Sequence, residues 1–249
     1  MQKKDIYVHG MDWTARAGKY ELNNYRKYQY NLIGKYIGKN ILEVGSGEKG
    51  FTKEIVNNRI KCTRLVSIEP SKTLFYLHKD KFKFPKYVSF YLKDLFKLTP
   101  KTFGIFDTVI FTHVLEHIKD DKGAIEKACE LLKPGGMILI EVPALQLLFS
   151  SHDTFLGHYR RYDKKYMLSI IDTKKLKIVD IWYQDFIGIF GSLLYFKFKK
   201  ITLNSQSGVN LVNKQGRFYN DFIVPFQSFI ERYVRPPIGL SLTVILQKR

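Results

Sequence analysis

Short apolar runs recur along the chain, and their length favours buried strands. They lie at 40–44, 65–68, 87–91, 106–111, 137–142, 177–183 and 241–247. Helical spacing of apolar residues occupies 19–38, 52–57 and 121–132, and the turn Lys133-Pro134-Gly135-Gly136 is predicted to end the last of these helices. Strands that alternate with helices predict a parallel sheet covered on both faces, since parallel neighbours need crossover connections.

The same pattern divides the chain into a core and its additions. We predict a helical cap over 1–39, a core over 40–183, an insert or lid over 184–237 and a last core strand over 238–249. One helical face of the insert carries the apolar residues Phe222, Phe226, Phe229, Ile230 and Tyr233. The insert is therefore predicted to be an appendage to the sheet rather than a second core.

Composition excludes several classes of protein. A hydrophobic fraction of 45% with 26% charged residues excludes a disordered chain. The 41 Lys and Arg against 23 Asp and Glu give a net charge of +18, but the lysines are scattered, which favours a solvated surface over a nucleic-acid site. Two distant cysteines, Cys62 and Cys129, provide neither a disulfide framework nor a zinc cluster. With no signal-like segment and no apolar run long enough to span a bilayer, we expect a cytoplasmic protein.

A glycine-rich turn follows the first predicted strand, in Ile41-Leu42-Glu43-Val44-Gly45-Ser46-Gly47. Glycine lets a backbone approach a ligand closely, and the turn is expected to direct N–H groups at an anionic group. Glu69 ends the second strand, where a carboxylate can accept both hydroxyls of a ribose. The phosphate-loop motif is absent and the dinucleotide spacing fails at Gly50, so a nucleoside other than a dinucleotide is favoured.

Five separated features resemble, in order, those of the class I S-adenosylmethionine-dependent methyltransferases. They are Glu43-Val44-Gly45-Ser46-Gly47, Glu69, Lys93-Asp94-Leu95, Thr112-His113-Val114-Leu115-Glu116-His117 and Leu131-Leu132-Lys133-Pro134-Gly135-Gly136. The resemblance implies an α/β, Rossmann-like fold. Its sheet would have seven mostly parallel strands with helices on both faces, an antiparallel last strand and a helical insert before that strand.

The resemblance also implies S-adenosylmethionine as the cofactor. In such enzymes the glycine-rich turn holds the methionine end, and the acid after the second strand, here Glu69, holds the ribose. The Asp after the third strand, here Asp94, contacts the adenine amine, and residues after the fourth strand line the methionine pocket. The residues so implied to bind cofactor are Glu43, Gly45, Ser46, Gly47, Glu69, Pro70, Asp94, Leu95, Thr112 and His113.

One position departs from the family pattern. The family usually has a third glycine two residues after Gly47, where this chain has Lys49, and Gly50 is displaced by one. The turn is then either reshaped or altered in its affinity for the cofactor. A solvated Lys49 side chain is favoured over one that lies across the cofactor carboxylate.

A narrower resemblance links the chain to a bacterial methyltransferase group associated with glycosyltransferases and surface-glycan modification. It is carried by Asn24-Tyr25-Arg26-Lys27-Tyr28, Val142-Pro143-Ala144, residues 152–162, Val224-Pro225 and residues 236–242. It implies O-methylation of a sugar or glycan hydroxyl. Bidentate contacts from Arg160 and Arg161 would suit an acceptor that is nucleotide- or lipid-linked. The apolar stretch 186–196, followed by three lysines, fits either peripheral contact with an anionic membrane or, more often, a lid or dimer surface.

Residues 150–162 are the richest in chemistry and follow the fifth strand, at the edge where ligands bind in α/β sheets. An alcohol acceptor must lose its proton, so Asp153 and His158, then His117, are the predicted catalytic residues. The predicted substrate-binding residues are Tyr25, Tyr159, Arg160 and Arg161. The structural alternative is that Asp153 caps a turn, His158 is a core histidine and the arginines pair with Glu116 or Asp163. No metal site is predicted, since no cluster of carboxylates indicates one.

Other functions fit the same cofactor site. RNA ribose methylation is motivated by the charge, although the strand-four end lacks the [DN]-P-P-[YF] motif of enzymes that methylate base amines. Methylation of a quinone precursor or phenol is a second alternative, because Val114-Leu115-Glu116-His117 also occurs in such relatives. A protein that binds the cofactor without catalysis is a third, motivated by Lys49. The acceptor, the methylated position and the oligomeric state are left open.

Overall fold

Seven strands form one mixed sheet in a computed structural model that describes residues 22–58, 62–77, 82–193 and 214–249. The strands are β1 (Asn40–Val44), β2 (Arg64–Glu69), β3 (Val88–Leu92), β4 (Phe106–Thr112), β5 (Leu132–Pro143), β6 (Leu176–Gln184) and β7 (Ser241–Lys248). Their order is β3-β2-β1-β4-β5-β7-β6. Strands β1 to β5 pair in parallel, whereas β7 is antiparallel to both β5 and β6. The predicted sheet with its antiparallel last strand is confirmed.

Helices cover both faces of this sheet. They are α1 (Asn23–Ile33), α2 (Gly50–Asn58), α3 (Lys72–Leu77), α4 (Pro100–Phe103), α5 (Asp121–Glu130), α6 (Ser151–Leu156), α7 (Lys164–Ser169), α8 (Gly188–Ser192) and α9 (Val224–Glu231). Residues 214–218 are also helical and lead into a π-helical turn, Tyr219–Ile223, before α9. Side-chain caps set several starts: Asp120 accepts from Gly123 N before α5, and Asp163 from Tyr166 N before α7.

Alternation along the strands sends neighbouring side chains to different cores. On β1, Ile41 packs with apolar residues of α1 and α2, whereas Leu42 packs in the cluster that includes α5 and α7. The same division separates Ile110 from Val109 on β4. A sheet buried on both faces explains why its strands were recognisable as continuous apolar runs.

Two predicted boundaries differ from the structure. Strand β5 begins at Leu132 rather than at 137, because the predicted turn is an irregularity inside the strand, with Gly135 at φ 73°. The N-terminal helix spans Asn23–Ile33 and continues as a 3-10 turn to Tyr36, a shorter helix than the predicted 19–38. Residues 19–21 lie outside the described residues, as do 194–200 of the apolar stretch and its lysines.

The insert is attached to the sheet through polar side chains. The Tyr28 hydroxyl of α1 donates to Glu231 Oε2 at 2.5 Å, and Glu231 accepts the N–H groups of Asp185 and Phe186. Gln227 accepts from Ile187 N. These contacts satisfy backbone donors where β6 ends, and they turn the aromatic face of α9 outward.

The outward face of α9 differs from the usual burial of an apolar helix face. Phe222, Phe226, Phe229 and Tyr233 are each at least 60% exposed, whereas Gln227 is buried. None of the described helices is long and apolar enough to cross a bilayer.

Strand order reverses between β1 and β4, since the chain leaves β1 for β2 on one side and reaches β4 on the other. Ligands of open α/β sheets bind at the carboxyl ends of strands beside such a reversal. The glycine-rich turn after β1 and the loop after β4 therefore meet at the expected position.

Candidate active site

The glycine-rich turn packs against the loop that follows β4. Gly45 has φ 74° and Gly47 φ 44°, in the left-handed region that glycine adopts without strain. A Cβ at Gly45 would lie 2.5 Å from Val114 Cγ2, so the close approach of these loops requires glycine. A Cβ at Gly47 would meet no described atom within 4 Å. The turn therefore leaves space for a ligand beside Gly47.

The first N–H groups of the turn are paired within the protein. Gly45 N and Ser46 N both donate to the Ile68 carbonyl, at 2.8 and 2.9 Å. Gly47 N donates to Glu69 Oε2 at 2.9 Å. This differs from the expectation that the turn directs these donors at the ligand. The turn therefore provides open space for a ligand rather than free N–H donors, and Glu69 provides the negative charge beside it.

Glu69 is fixed where β2 ends. Besides the bond from Gly47, its Oε1 accepts from Ser71 N at 2.9 Å, and the residue is 5% exposed. A carboxylate oxygen can accept more than one hydrogen bond, so it can bind a hydroxyl in addition to a backbone N–H. A nucleoside ribose beside Gly47 would meet this carboxylate.

Glu43 supports the turn from inside the core. Its Oε2 accepts from Thr52 Oγ1 at 2.5 Å and from Ser67 Oγ at 2.7 Å, which joins β1 to α2 and β2. Burial raises the pKa of Glu43 to about 7, although these two hydrogen bonds oppose the shift.

The other predicted cofactor residues follow β2, β3 and β4. Asp94 caps a short 3-10 turn through Phe96 N at 2.9 Å. Leu95 is part of the core, so its side chain packs rather than lines a cleft, and Thr112 ends β4 with 8% exposure. Pro70 is half-buried directly after Glu69. All four lie at the carboxyl edge of the sheet.

Lys49 takes the left-handed conformation, φ 63°, at the position where the family usually has glycine. The residue is 2% exposed, so the solvated side chain that was expected is wrong. Its Nζ lies 4.6 Å from the centroid of the Phe90 ring, a cation–π contact. A lysine thus takes a backbone conformation here that glycine adopts with less strain.

His113 lies between two buried glutamates. Its Nδ1 is 3.5 Å from Glu116 Oε1, its Nε2 is 3.3 Å from Glu141 Oε1, and the Tyr25 hydroxyl is 3.5 Å from Nε2. Burial lowers the pKa of His113, but hydrogen bonds to Glu116 and Glu141 outweigh it and raise the pKa to about 9. A charged imidazolium therefore adjoins the predicted methionine pocket, with Tyr25 beside it.

Asp153, His158 and Arg161 form a buried group after β5. Asp153 Oδ1 accepts from His158 Nδ1 at 2.9 Å and from Arg161 Nε at 2.8 Å, while Oδ2 accepts from Ser150 N. Burial raises the pKa of Asp153, but His158 and Arg161 lower it to about 2. Asp153 thus caps α6, as the structural alternative predicted, and also contacts His158, while its catalytic role stays a prediction.

Glu116 joins this group to the loop after β4. It is fully buried, and His158 Nε2 lies 4.0 Å from its Oε1. The His117 ring stands edge-on to the His158 ring, with centroids 4.7 Å apart. The three residues predicted as catalytic are therefore brought together, and Glu116 lies among them.

The predicted substrate-binding residues of this segment have different environments. Tyr159 is 53% exposed. Arg160 donates to the carbonyls of Ile118 and Lys119, both at 2.9 Å, and pairs with Asp121 at 3.0 Å. Arg161 is bound to Asp153. Both guanidinium groups are hydrogen-bonded within the protein. Binding of an anionic acceptor by either arginine stays a prediction, and it would require that arginine to exchange its present partners for the acceptor.

Sequence reasoning did not assign Glu141 and Glu116 to the site. Glu141 interrupts an apolar strand, in Leu139-Ile140-Glu141-Val142, and a lone carboxylate in a buried strand was the available signal. The role of Glu116 depends on His158, which is 42 residues away along the chain, and no local pattern reveals such a pair.

The sheet order, the glycine-rich turn and Glu69 together define a class I S-adenosylmethionine-dependent methyltransferase. A family model described as a methyltransferase domain matches residues 12–184, and the chain belongs to this family. No curated protein sequence matches the chain.

Solved structures share the fold at low sequence identity. N-methyltransferase NodS from Bradyrhizobium japonicum WM9, in complex with S-adenosyl-L-homocysteine, is 15% identical with a TM-score of 0.58, covering 98% of this chain and 99% of that one. A SAM-dependent methyltransferase from Archaeoglobus fulgidus is 13% identical with a TM-score of 0.57, over 95% and 98% of the two chains. Coclaurine N-methyltransferase is 15% identical with a TM-score of 0.58, over 92% and 74%.

Proposed function

We propose that the protein transfers a methyl group from S-adenosylmethionine to a hydroxyl of a sugar or glycan. The observation that carries this proposal is the cluster of Glu116, His117 and His158, oriented by Asp153, beside the predicted methionine pocket. A neutral alcohol is a poor nucleophile until its proton is removed, and such a cluster assists that removal. The sugar acceptor rests on the narrower family resemblance of residues 152–162.

The proposed cofactor site follows from the geometry of the turn. S-adenosylmethionine supplies the methyl group on an electrophilic sulfonium. Glu69 would accept the ribose hydroxyls, and the open space at Gly47 would admit the rest of the nucleoside. Asp94 would contact the adenine amine, and Thr112 and His113 would border the methionine part.

Alignment of the acceptor with the methyl group provides much of the acceleration in an in-line displacement. Tyr25 and Tyr159 would line the acceptor side. In support, Tyr25 contacts His113, and Tyr159 N donates to the Glu116 carbonyl. His158 would hold or receive the acceptor proton at Nε2, because Asp153 occupies Nδ1.

The test is formation of S-adenosylhomocysteine with acceptors of four kinds: nucleotide-linked sugars, lipid-linked glycans, small phenols and RNA. Amine acceptors form a fifth arm, since two of the similar structures are named N-methyltransferases. We expect turnover with a glycan acceptor and its loss in His158→Gln with unchanged cofactor affinity. Turnover confined to RNA, phenols or amines would replace the proposed acceptor, and cofactor binding without turnover on any acceptor would favour a silent protein.

A lipid-linked acceptor is favoured by the exposed face of α9. Phe226 and Phe229 of α9 and Phe222 of the π-helical turn before it are exposed, close in sequence to the exposed Arg217 and Arg232. Aromatic residues with flanking cations are typical of a helix that lies on an anionic membrane. We expect the protein to sediment with phosphatidylglycerol vesicles but not with phosphatidylcholine vesicles. Phe222→Ser with Phe229→Ser should abolish sedimentation without changing cofactor affinity, and equal binding to both vesicle types would contradict this docking mode.

A further inference from the structure

The side chains of Glu116, His117 and His158 meet at one point between the loops that follow β4 and β5. Each offers a ligand atom, and these atoms lie within 4.8 Å of one another. Glu116 is fully buried; His113 Nδ1 lies 3.5 Å from its Oε1, and Oε2 has no hydrogen-bond partner among the described groups. A buried carboxylate is costly unless cations compensate it, and the His113 ring provides one positive charge, on the Oε1 side.

The tautomer of His158 directs a ring lone pair toward Glu116. The Asp153 carboxylate can only accept, so His158 Nδ1 carries the proton, and the lone pair of the neutral ring is on Nε2. That nitrogen lies 4.0 Å from Glu116 Oε1. Two lone pairs that face each other at this distance repel unless a proton on the ring or a metal ion lies between them.

Metal-binding histidines commonly donate their second ring nitrogen to a carboxylate, which fixes the ring and strengthens the ligand. Asp153 provides this contact for His158, and Asp153 is itself held by Arg161 at 2.8 Å. His117 presents its ring edge-on, 4.7 Å from the His158 ring. The arrangement has both the ligands and the outer contacts of a metal centre.

We infer that Glu116, His117 and His158 bind a divalent transition-metal ion. Two imidazoles and one carboxylate match zinc, which takes such donors at about 2.0 to 2.2 Å and in catalytic sites keeps an open position. The ligand atoms must close by about 1 Å from their present separations to reach that geometry, which side-chain rotation allows.

The catalytic meaning of the ion rests on the proposed function. With His158 Nε2 bound to the ion, the ion rather than the free ring would activate the acceptor hydroxyl. An acceptor hydroxyl at the open position would be more acidic, because a bound divalent ion lowers the pKa of oxygen ligands. Sequence analysis predicted no metal because the three ligands come from two loops and include one carboxylate only.

The test uses the full chain, freed of any affinity tag and stripped with a chelator. Zinc titration by calorimetry is expected to show one site per chain, and cobalt(II) is expected to give the visible absorption of a low-symmetry nitrogen and oxygen site. Glu116→Gln should weaken zinc at least 100-fold, whereas Glu141→Gln, a buried carboxylate outside the triad, should leave zinc affinity within threefold. Asp153→Asn should weaken zinc about tenfold.

Circular dichroism and thermal melting of each variant separate loss of metal from loss of fold. His158→Gln is the second variant, since it keeps a polar side chain of similar length. No zinc binding by the folded wild-type chain, or equal zinc affinity in Glu116→Gln, overturns the inference. Turnover at full rate by the stripped protein overturns the catalytic role alone. Absence of cofactor binding in the metal-loaded protein would instead refute the proposed function.

Discussion

The Asp153 carboxylate accepts a hydrogen bond from His158 Nδ1 at 2.9 Å, and this bond directs the opposite ring nitrogen toward Glu116. Asp153 is fully buried, and we propose that it positions His158. The pair joins two loops that are separate in sequence but adjacent at the sheet edge.

Asp153→Asn tests this positioning role. The amide oxygen can still accept from His158 and Arg161, but the charge is lost, so we expect kcat to fall about 10- to 100-fold. Cofactor affinity should stay within threefold by calorimetry. Ser150→Ala is the matched control, because it removes the hydroxyl contact to Asp153 Oδ2 and leaves the histidine bond. A parallel fall of kcat and cofactor affinity would indicate a structural role only.

The two glycines of the turn should respond differently to alanine. Gly45→Ala brings a Cβ to 2.5 Å from Val114, so we expect loss of both cofactor binding and stability, measured by calorimetry and thermal melting. Gly47→Ala meets no described atom, and its stability cost is about 1 to 2 kcal/mol from the left-handed backbone. Its methyl group enters the space proposed for the nucleoside, so cofactor affinity should fall at least tenfold. Unchanged affinity in Gly47→Ala would place the cofactor elsewhere.

Lys49→Gly restores the residue usual in the family. Glycine relieves the left-handed backbone, while the variant loses the contact between Nζ and the Phe90 ring, so the two effects of about 1 kcal/mol each oppose one another. We expect a change in unfolding free energy below about 1 kcal/mol and cofactor affinity within threefold. A tenfold gain in affinity would show instead that Lys49 obstructs the cofactor.

Asp185 should make stability depend on pH in the insert. Burial raises its pKa to about 6, although hydrogen bonds from Tyr219, Gln227 and Gly188 oppose the shift. The folded chain then binds more protons than the unfolded chain between pH 3.8 and about 6, so the unfolding free energy falls as pH rises through this window and is flat above it. The fall is about 3 kcal/mol at most, from a shift of about two pKa units.

Asp185→Asn keeps an acceptor and tolerates the left-handed backbone, so denaturant unfolding between pH 4 and 7 should lose this decline. Asp180→Asn serves as the control, since the Arg235 guanidinium lowers the pKa of Asp180. The Asp180–Arg235 pair stabilises the folded chain above the usual pKa of Asp, and this stabilisation is lost as the pH falls below it. The unfolding free energy therefore rises with pH for this pair, opposite to the effect of Asp185. An unaltered decline in Asp185→Asn would contradict the assignment.

Local patterns determined much of this protein. Apolar runs predicted all seven strands, because strands buried on both faces cannot include many polar residues. Glycines with a following acid predicted the cofactor turn, since its conformation and chemistry depend on neighbours in sequence. The direction of β7 and the family came from resemblance, and the structure and the family match agree with them.

Tertiary structure determined which residues distant in sequence are in contact. Glu116 and His158 form a site only because β4 and β5 are adjacent and their carboxyl ends share an edge. The aromatic face of α9 is exposed because Glu231 and Gln227 must satisfy backbone donors at the end of β6. Sequence periodicity identifies the faces of a helix, but the free energy of pairing buried polar groups selects the face that turns inward.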